Sequence, residues 1–245
     1  MKHFITIITL LILTLSCKKS EDRACWKFVG ETKTFEQSFD KIDSLFLYKN
    51  IVYELIQSTE NKIEVVGGEN LIHFIDFDVE GGNLSISNKN KCAFLRSYKK
   101  KVTVKIYASN LKYIYSESSE NISSQNTLTY PYLAILIRDG AGKVMLDVQS
   151  QSLQIDVTSG WGDFEITGST NYLGVFCRTG SFCDTRNLSV NISCYAFSRS
   201  TGDMYINAND CTLEAYVESR GNIYYTGEPS VISETITGEG ELIAL

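Results

Sequence analysis

The sequence predicts an all-β solenoid, a β-helix with coils of about twenty residues and less regular coils at its N-terminal end. The first observation is a repeated corner. Asp139-Gly140-Ala141-Gly142 is followed by Ser159-Gly160-Trp161-Gly162, Thr179-Gly180-Ser181-Phe182, Ser200-Thr201-Gly202-Asp203, Ser219-Arg220-Gly221-Asn222 and Thr237-Gly238-Glu239-Gly240. Aligned by eye, the second glycine falls at 142, 162, 202, 221 and 240, with Phe182 in its place once. The second observation is the alternation between corners. Leu153, Ile155 and Val157 point one way and Gln154, Asp156 and Thr158 the other, which is the period of a β-strand. The third is path length: twenty residues at roughly 3.3 Å each give about 65 Å, enough for one coil. One coil cannot bury its own apolar face, whereas stacked coils can. A corner glycine would reach positive φ without steric cost, and a neighbouring Asp or Asn would hydrogen-bond the turn.

Taken in order, the chain begins with a targeting segment. Lys2 and His3 precede a twelve-residue apolar run from Phe4 to Leu15, too short to span a bilayer, which ends at Ser16-Cys17. The pattern looks like a bacterial lipoprotein signal, with residues 1–16 removed and Cys17 acylated, although Thr14 and Leu15 depart from the usual box. Several acyl chains would anchor the chain stably to a membrane. Residues 17–34 are charged and polar and read as a tether. Cleavage would remove one lysine and no acid, taking the formal charge from −6 to −7. It would also leave His73 as the sole histidine, so histidine catalysis and histidine-rich metal sites have little to draw on.

Residues 35–245 form the domain. Ile51–Gln57, Lys62–Gly68, Phe74–Val79 and Leu84–Ser87 read as strands around glycine turns, irregular as a terminal cap would be. Lys99-Lys100-Lys101 precedes the strand Val102–Ile106 and reads as a charged strand end. With an acidic balance and no broader basic patch, nucleic acid is not expected as a partner. Besides Cys17 there are Cys25, Cys92, Cys177, Cys183, Cys194 and Cys211, an even number that favours disulfides in an oxidising compartment. Fifteen connectivities exist. Cys25 with Cys92 is expected because the other four lie together among the repeats. Cys177 with Cys194 fits because they lie nearly one coil apart. No CxxC pair is present, which disfavours zinc.

Two stretches carry a family resemblance: Ile63-Glu64-Val65-Val66-Gly67-Gly68-Glu69-Asn70-Leu71, and Val79-Glu80-Gly81-Gly82-Asn83-Leu84-Ser85-Ile86. With Val102–Tyr107, Asn110-Leu111-Lys112, the glycine corners and Glu218–Pro229, they resemble the putative auto-transporter adhesin, head GIN domain family. The resemblance covers residues 35 to 245 and departs at Phe182, at Thr201 and in the extra cysteines. It implies an exported β-helical protein, frequently a lipoprotein of Bacteroidetes, on the outer membrane and facing the cell exterior or the periplasm. It supplies no catalytic residues.

Among candidate functional residues, Asp163, Asp203, Asn222 and Glu241 follow the corner and would form a column. Asp163 and Asp203 two coils apart would lie about 10 Å from each other, near the separation of an inverting glycosidase pair. Capping of the turn is the stronger reading. Calcium finds no support, since its Gly-x-Gly-x-Asp repeats recur every nine residues. Trp161 lies between two corner glycines in a solvent-facing column, where it would stack on a sugar, anchor a partner, or fold back over a neighbouring corner. No phosphate loop, nucleophile elbow or zinc-protease motif is present, and no cofactor is expected. The sequence thus points to a lipid-anchored envelope protein that binds a protein or glycan without catalysis. The alternatives are a carbohydrate-active enzyme built on the column carboxylates and a structural module that forms homo-oligomers through open coil edges.

Overall fold

A computed structural model describes residues 28–90 and 100–245. The signal segment, Cys17, Cys25 and Cys92 lie outside the described residues. Among the described residues the fold is nearly all-β, nine stacked coils of which the seven regular ones are spaced by about twenty residues. Each coil has two long faces. On the first lie β2 (Ser44–Leu47), β6 (Asn83–Asn88) and β8 (Tyr113–Ser116), followed by the second half of β10 (Leu128–Ile137). The same face continues through the second halves of β11 (Val144–Val157) and β12 (Phe164–Cys177), then β14 (Leu188–Ser198), β16 (Thr212–Val217) and β18 (Val231–Ile236). The second face holds β3 (Ile51–Gln57), β7 (Val102–Ala108) and β9 (Ile122–Ser124). After them come the first halves of β11 and β12, β13 (Cys183–Thr185), β15 (Met204–Asn207), β17 (Ile223–Thr226) and β19 (Leu242–Ala244).

Parallel pairing stacks like on like. Ile114, Ile135, Ile155, Val175, Ala196 and Ala215 form one interior column. Ile122, Val144, Phe164, Cys183, Met204 and Ile223 form another across from it. Both columns are buried, and at about 1.5–3 kcal/mol for each large apolar side chain they carry the hydrophobic stabilisation. Two fully buried tyrosines keep their hydroxyls satisfied: Tyr53 donates to carbonyls of Tyr48 and Ile86, and Tyr130 to that of Ala108.

The N-terminal end departs from simple stacking. β2 lies between β6 and β8, and β3 between β7 and β9. The coil that comes first in sequence is therefore second in space. The chain reaches the outer coil by way of β4 (Lys62–Gly68), the short helix α1 (Glu69–Ile72) and β5 (Ile75–Glu80). β4 runs antiparallel beside β7, and β1 (Thr32–Ser38) antiparallel beside β4. β5 runs antiparallel beside β6.

The register corrects the alignment of the corners. Phe164 pairs with Cys183 and Cys183 with Met204. The corner after β12 is one residue shorter than the two before it, so Ser181, not Phe182, occupies the column of Gly142, Gly162, Gly202, Gly221 and Gly240. Gly180 accordingly falls in the column of Trp161. Nor does positive φ explain those five glycines, since among the corner glycines only Gly160 has it. A Cβ at Gly142, Gly202, Gly221 or Gly240 would collide with a backbone carbonyl of the preceding coil. The glycines allow the coils to close.

The cysteine pairing also differs from the expectation. Cys177 bonds Cys183 across the short corner, with Cα atoms 7.3 Å apart, and Cys194 is free and buried. Cys177 stacks on Ser198, twenty-one residues on, because the strand pairing here skips a residue at a bulge; Cys194 falls under Leu173 instead. Cys211 is likewise free and buried.

Candidate ligand-binding surface

The corner carboxylates are built into the stack. Asp163 Oδ1 accepts the backbone N–H of Phe182 at 2.8 Å, and Asp203 Oδ1 accepts that of Asn222 at 2.9 Å. Asn222 Oδ1 in turn accepts the N–H of Glu241 at 2.9 Å, and Asn121 Oδ1 that of Lys143 at 3.3 Å. Each side chain ties its corner to the next coil. Asp163 and Asp203 stand in one column, separated by the coil of Phe182. Among the described residues no three metal-ligating side chains come together.

Trp161 projects from its corner with 72 % of its surface exposed. The benzo edge of the indole lies over Gly180, where an added Cβ would meet Cζ3 at 2.7 Å and Thr201 Oγ1 at 3.2 Å. It both folds over the neighbouring corner and stays in solvent.

Strand alternation places further aromatics outward. On the first face Phe176 packs on Tyr195 at 5.4 Å and on Phe197 at 6.2 Å, and Tyr195 packs on Tyr216 at 5.2 Å. Arg178 lies over Phe176 and Phe197, and Arg199 over Phe197, within 6 Å of the rings. Arg178 also pairs with Asp156 and Arg199 with Glu218. On the second face Phe182, Tyr205 and Tyr224 form a ladder at 5.2 and 4.9 Å. Arg186 caps Tyr205 at 4.6 Å and grips Asp184 through Nε at 3.0 Å and Nη2 at 2.6 Å. Burial would raise the Asp184 carboxyl, but the hydrogen bonds and charge of Arg186 outweigh it and hold the group below its usual value. The signal for these ladders was in the sequence: aromatics one coil apart at outward positions. A third cluster, Phe46, Tyr48, Tyr113 and Tyr115, sits beside a polar cleft of about 530 Å³ that includes Lys49, Ser85, Ser87 and Glu117. Of the lysine run, Lys101 pairs with Glu120 at the start of β7.

The arrangement offers aromatic and hydrogen-bonding contact. Solved structures share its fold. A putative adhesin from Bacteroides fragilis superposes with a TM-score of 0.78 at 22 % identity, covering 88 % of this chain and 97 % of that one. A putative adhesin from Parabacteroides distasonis gives 0.65 at 19 % identity, covering 88 % and 98 %. A putative lipid binding protein from the same organism gives 0.61 at 20 %, covering 88 % and 97 %. No curated protein matches. A family profile, however, matches residues 38–229, most of the repeats and the irregular end alike, and on it the chain belongs to the putative auto-transporter adhesin, head GIN domain family.

Proposed function

We propose that this is a non-catalytic adhesion module of the bacterial envelope. Residues 1–16 are removed on export, Cys17 carries the lipid, residues 17–34 form the tether, and residues 35–245 present the solenoid at the cell surface. The ligand is a protein or glycan. The observation that carries the reading is the outward aromatic and arginine surface of the C-terminal coils, Phe176, Tyr195, Phe197 and Tyr216 with Arg178 and Arg199. Aromatic and arginine side chains are the types that dominate binding hot spots. Family membership and the shared fold of two putative adhesins support it.

The test is protease accessibility on intact cells, with a periplasmic protein as control. Digestion of the domain on whole cells supports the reading. Protection until the outer membrane is opened overturns it in favour of a periplasmic role. On cells that pass, Phe197→Ala and Arg199→Ala should reduce adhesion to matrix proteins or glycans.

A further inference from the structure

We infer that Trp161 is the platform for a neutral sugar ring, an assignment that rests on the domain's being a ligand-binding module. The shortened corner changes what lies beneath the indole. In the column of Trp161 the other coils carry Ala141, Thr201, Arg220 and Glu239, and only the coil directly beneath the indole carries glycine. Gly180 has no positive φ, so its backbone does not call for glycine. The indole does, because a Cβ at 180 would meet Cζ3 at 2.7 Å and Cη2 at 3.3 Å. A missing side chain thus seats a tryptophan that remains 72 % exposed. A filler residue would gain stability by burying that apolar area.

The surroundings select the occupant. Thr201 Oγ1 borders the same glycine, and Asp163, two residues from Trp161, gives Oδ1 to the Phe182 N–H and keeps Oδ2 for another donor. A pyranose has a face of C–H bonds that packs on an aromatic ring and hydroxyls that bond to such groups. The nearby cations are paired: Lys143 with Glu165 at 2.6 Å, Arg178 with Asp156, and Arg220 with Glu239 at 3.2 Å. On a chain of formal charge −6, that leaves little to attract an anionic glycan. A protein hot spot would need a contiguous patch of about 800 Å² on each side. Trp161 instead stands on a corner with Asp163 two residues on and Thr201 bordering the glycine beneath it.

The experiment screens the full chain on an array of neutral glucan, mannan, galactan and xylan oligosaccharides, with uronate-bearing and sulfated glycans as comparators, then measures hits by calorimetry. The expected result is binding to a neutral glycan that weakens at least roughly tenfold in Trp161→Ala and is largely kept in Trp161→Tyr. Gly180→Ala, which displaces the indole without removing it, should also weaken binding. Circular dichroism and urea midpoints establish that each variant is folded. Binding to no neutral glycan, or equal binding by Trp161→Ala, overturns the assignment. Either result leaves the adhesion reading standing on its surface-exposure test, and failure of that test leaves a measured sugar affinity intact.

Discussion

At the scale of single residues, the glycines separate two causes that sequence alone merges. Gly221→Ala would drive a Cβ into the Gly202 carbonyl, and a destabilisation of about 1–3 kcal/mol is expected from urea denaturation, as for other overpacked sites. Gly81, with φ of +59° and open space around it, should lose about 1–2 kcal/mol on the same change, from backbone strain alone. Cys194 makes a second case. Burial pushes its thiol well above the usual range, and burial likewise raises that of Cys211. Peptide mapping after iodoacetamide should find both unmodified in the folded chain and alkylated in urea, whereas labelling of the native protein would contradict the buried environment. Trp161 was legible as a candidate because it breaks a repeating column, and Asp163 because it continues one. Their mutual placement was not, because one corner a residue short sets Gly180, not Ser181, under the indole.

At the scale of the element, the corner and its partner in the next coil form the working unit. Removing the Asp163 acceptor in Asp163→Ala should cost about 1–2 kcal/mol, while Asp163→Asn, which keeps a carbonyl oxygen for the Phe182 N–H, should be close to neutral. Measured by thermal or urea denaturation, that contrast distinguishes an acceptor from a residue valued for its charge. Strand existence and facing were readable from alternation; that Asp163 and Asp203 bond the backbone of the next coil was not. The cysteine partners were not, because strand spacing and corner length vary by a residue between coils. β18 shows another device. Glu234 stacks on Ala215 at an inward position between Ile232 and Ile236, and inward-pointing charge is a known way to blunt a strand edge. Replacing Glu234 with isoleucine should shift the protein toward larger species on size exclusion at equal concentration, and an unchanged elution profile would count against that role.

At the scale of the whole molecule, buried tyrosines set the alkaline limit of stability. Burial raises Tyr53 and Tyr130, and burial followed by the Glu117 hydrogen bond pushes Tyr115 up to about 12. Their unfolded value is about 10, so the folded form holds these protons longer than the unfolded one. Stability is therefore complete below about pH 10 and falls as the pH rises above it. Thermal midpoints followed from pH 8 to 12 should decline only past that point, and Tyr53→Phe should flatten the decline while costing about 1 kcal/mol at neutral pH. The solenoid as a class was legible from its period, since each coil repeats one solution. The interleaved first coils were not, because no local pattern records which strands become neighbours. That interleaving governs the order of assembly. The coil of β2 and β3 has both neighbours, β6 with β7 and β8 with β9, later in the chain. A chain emerging N-terminus first presents this layer before either surface it must meet. The regular coils after Leu128 can zip up one upon another as they emerge, whereas the first-made layer gains one neighbour only after Ala108 and the other only after Ser124.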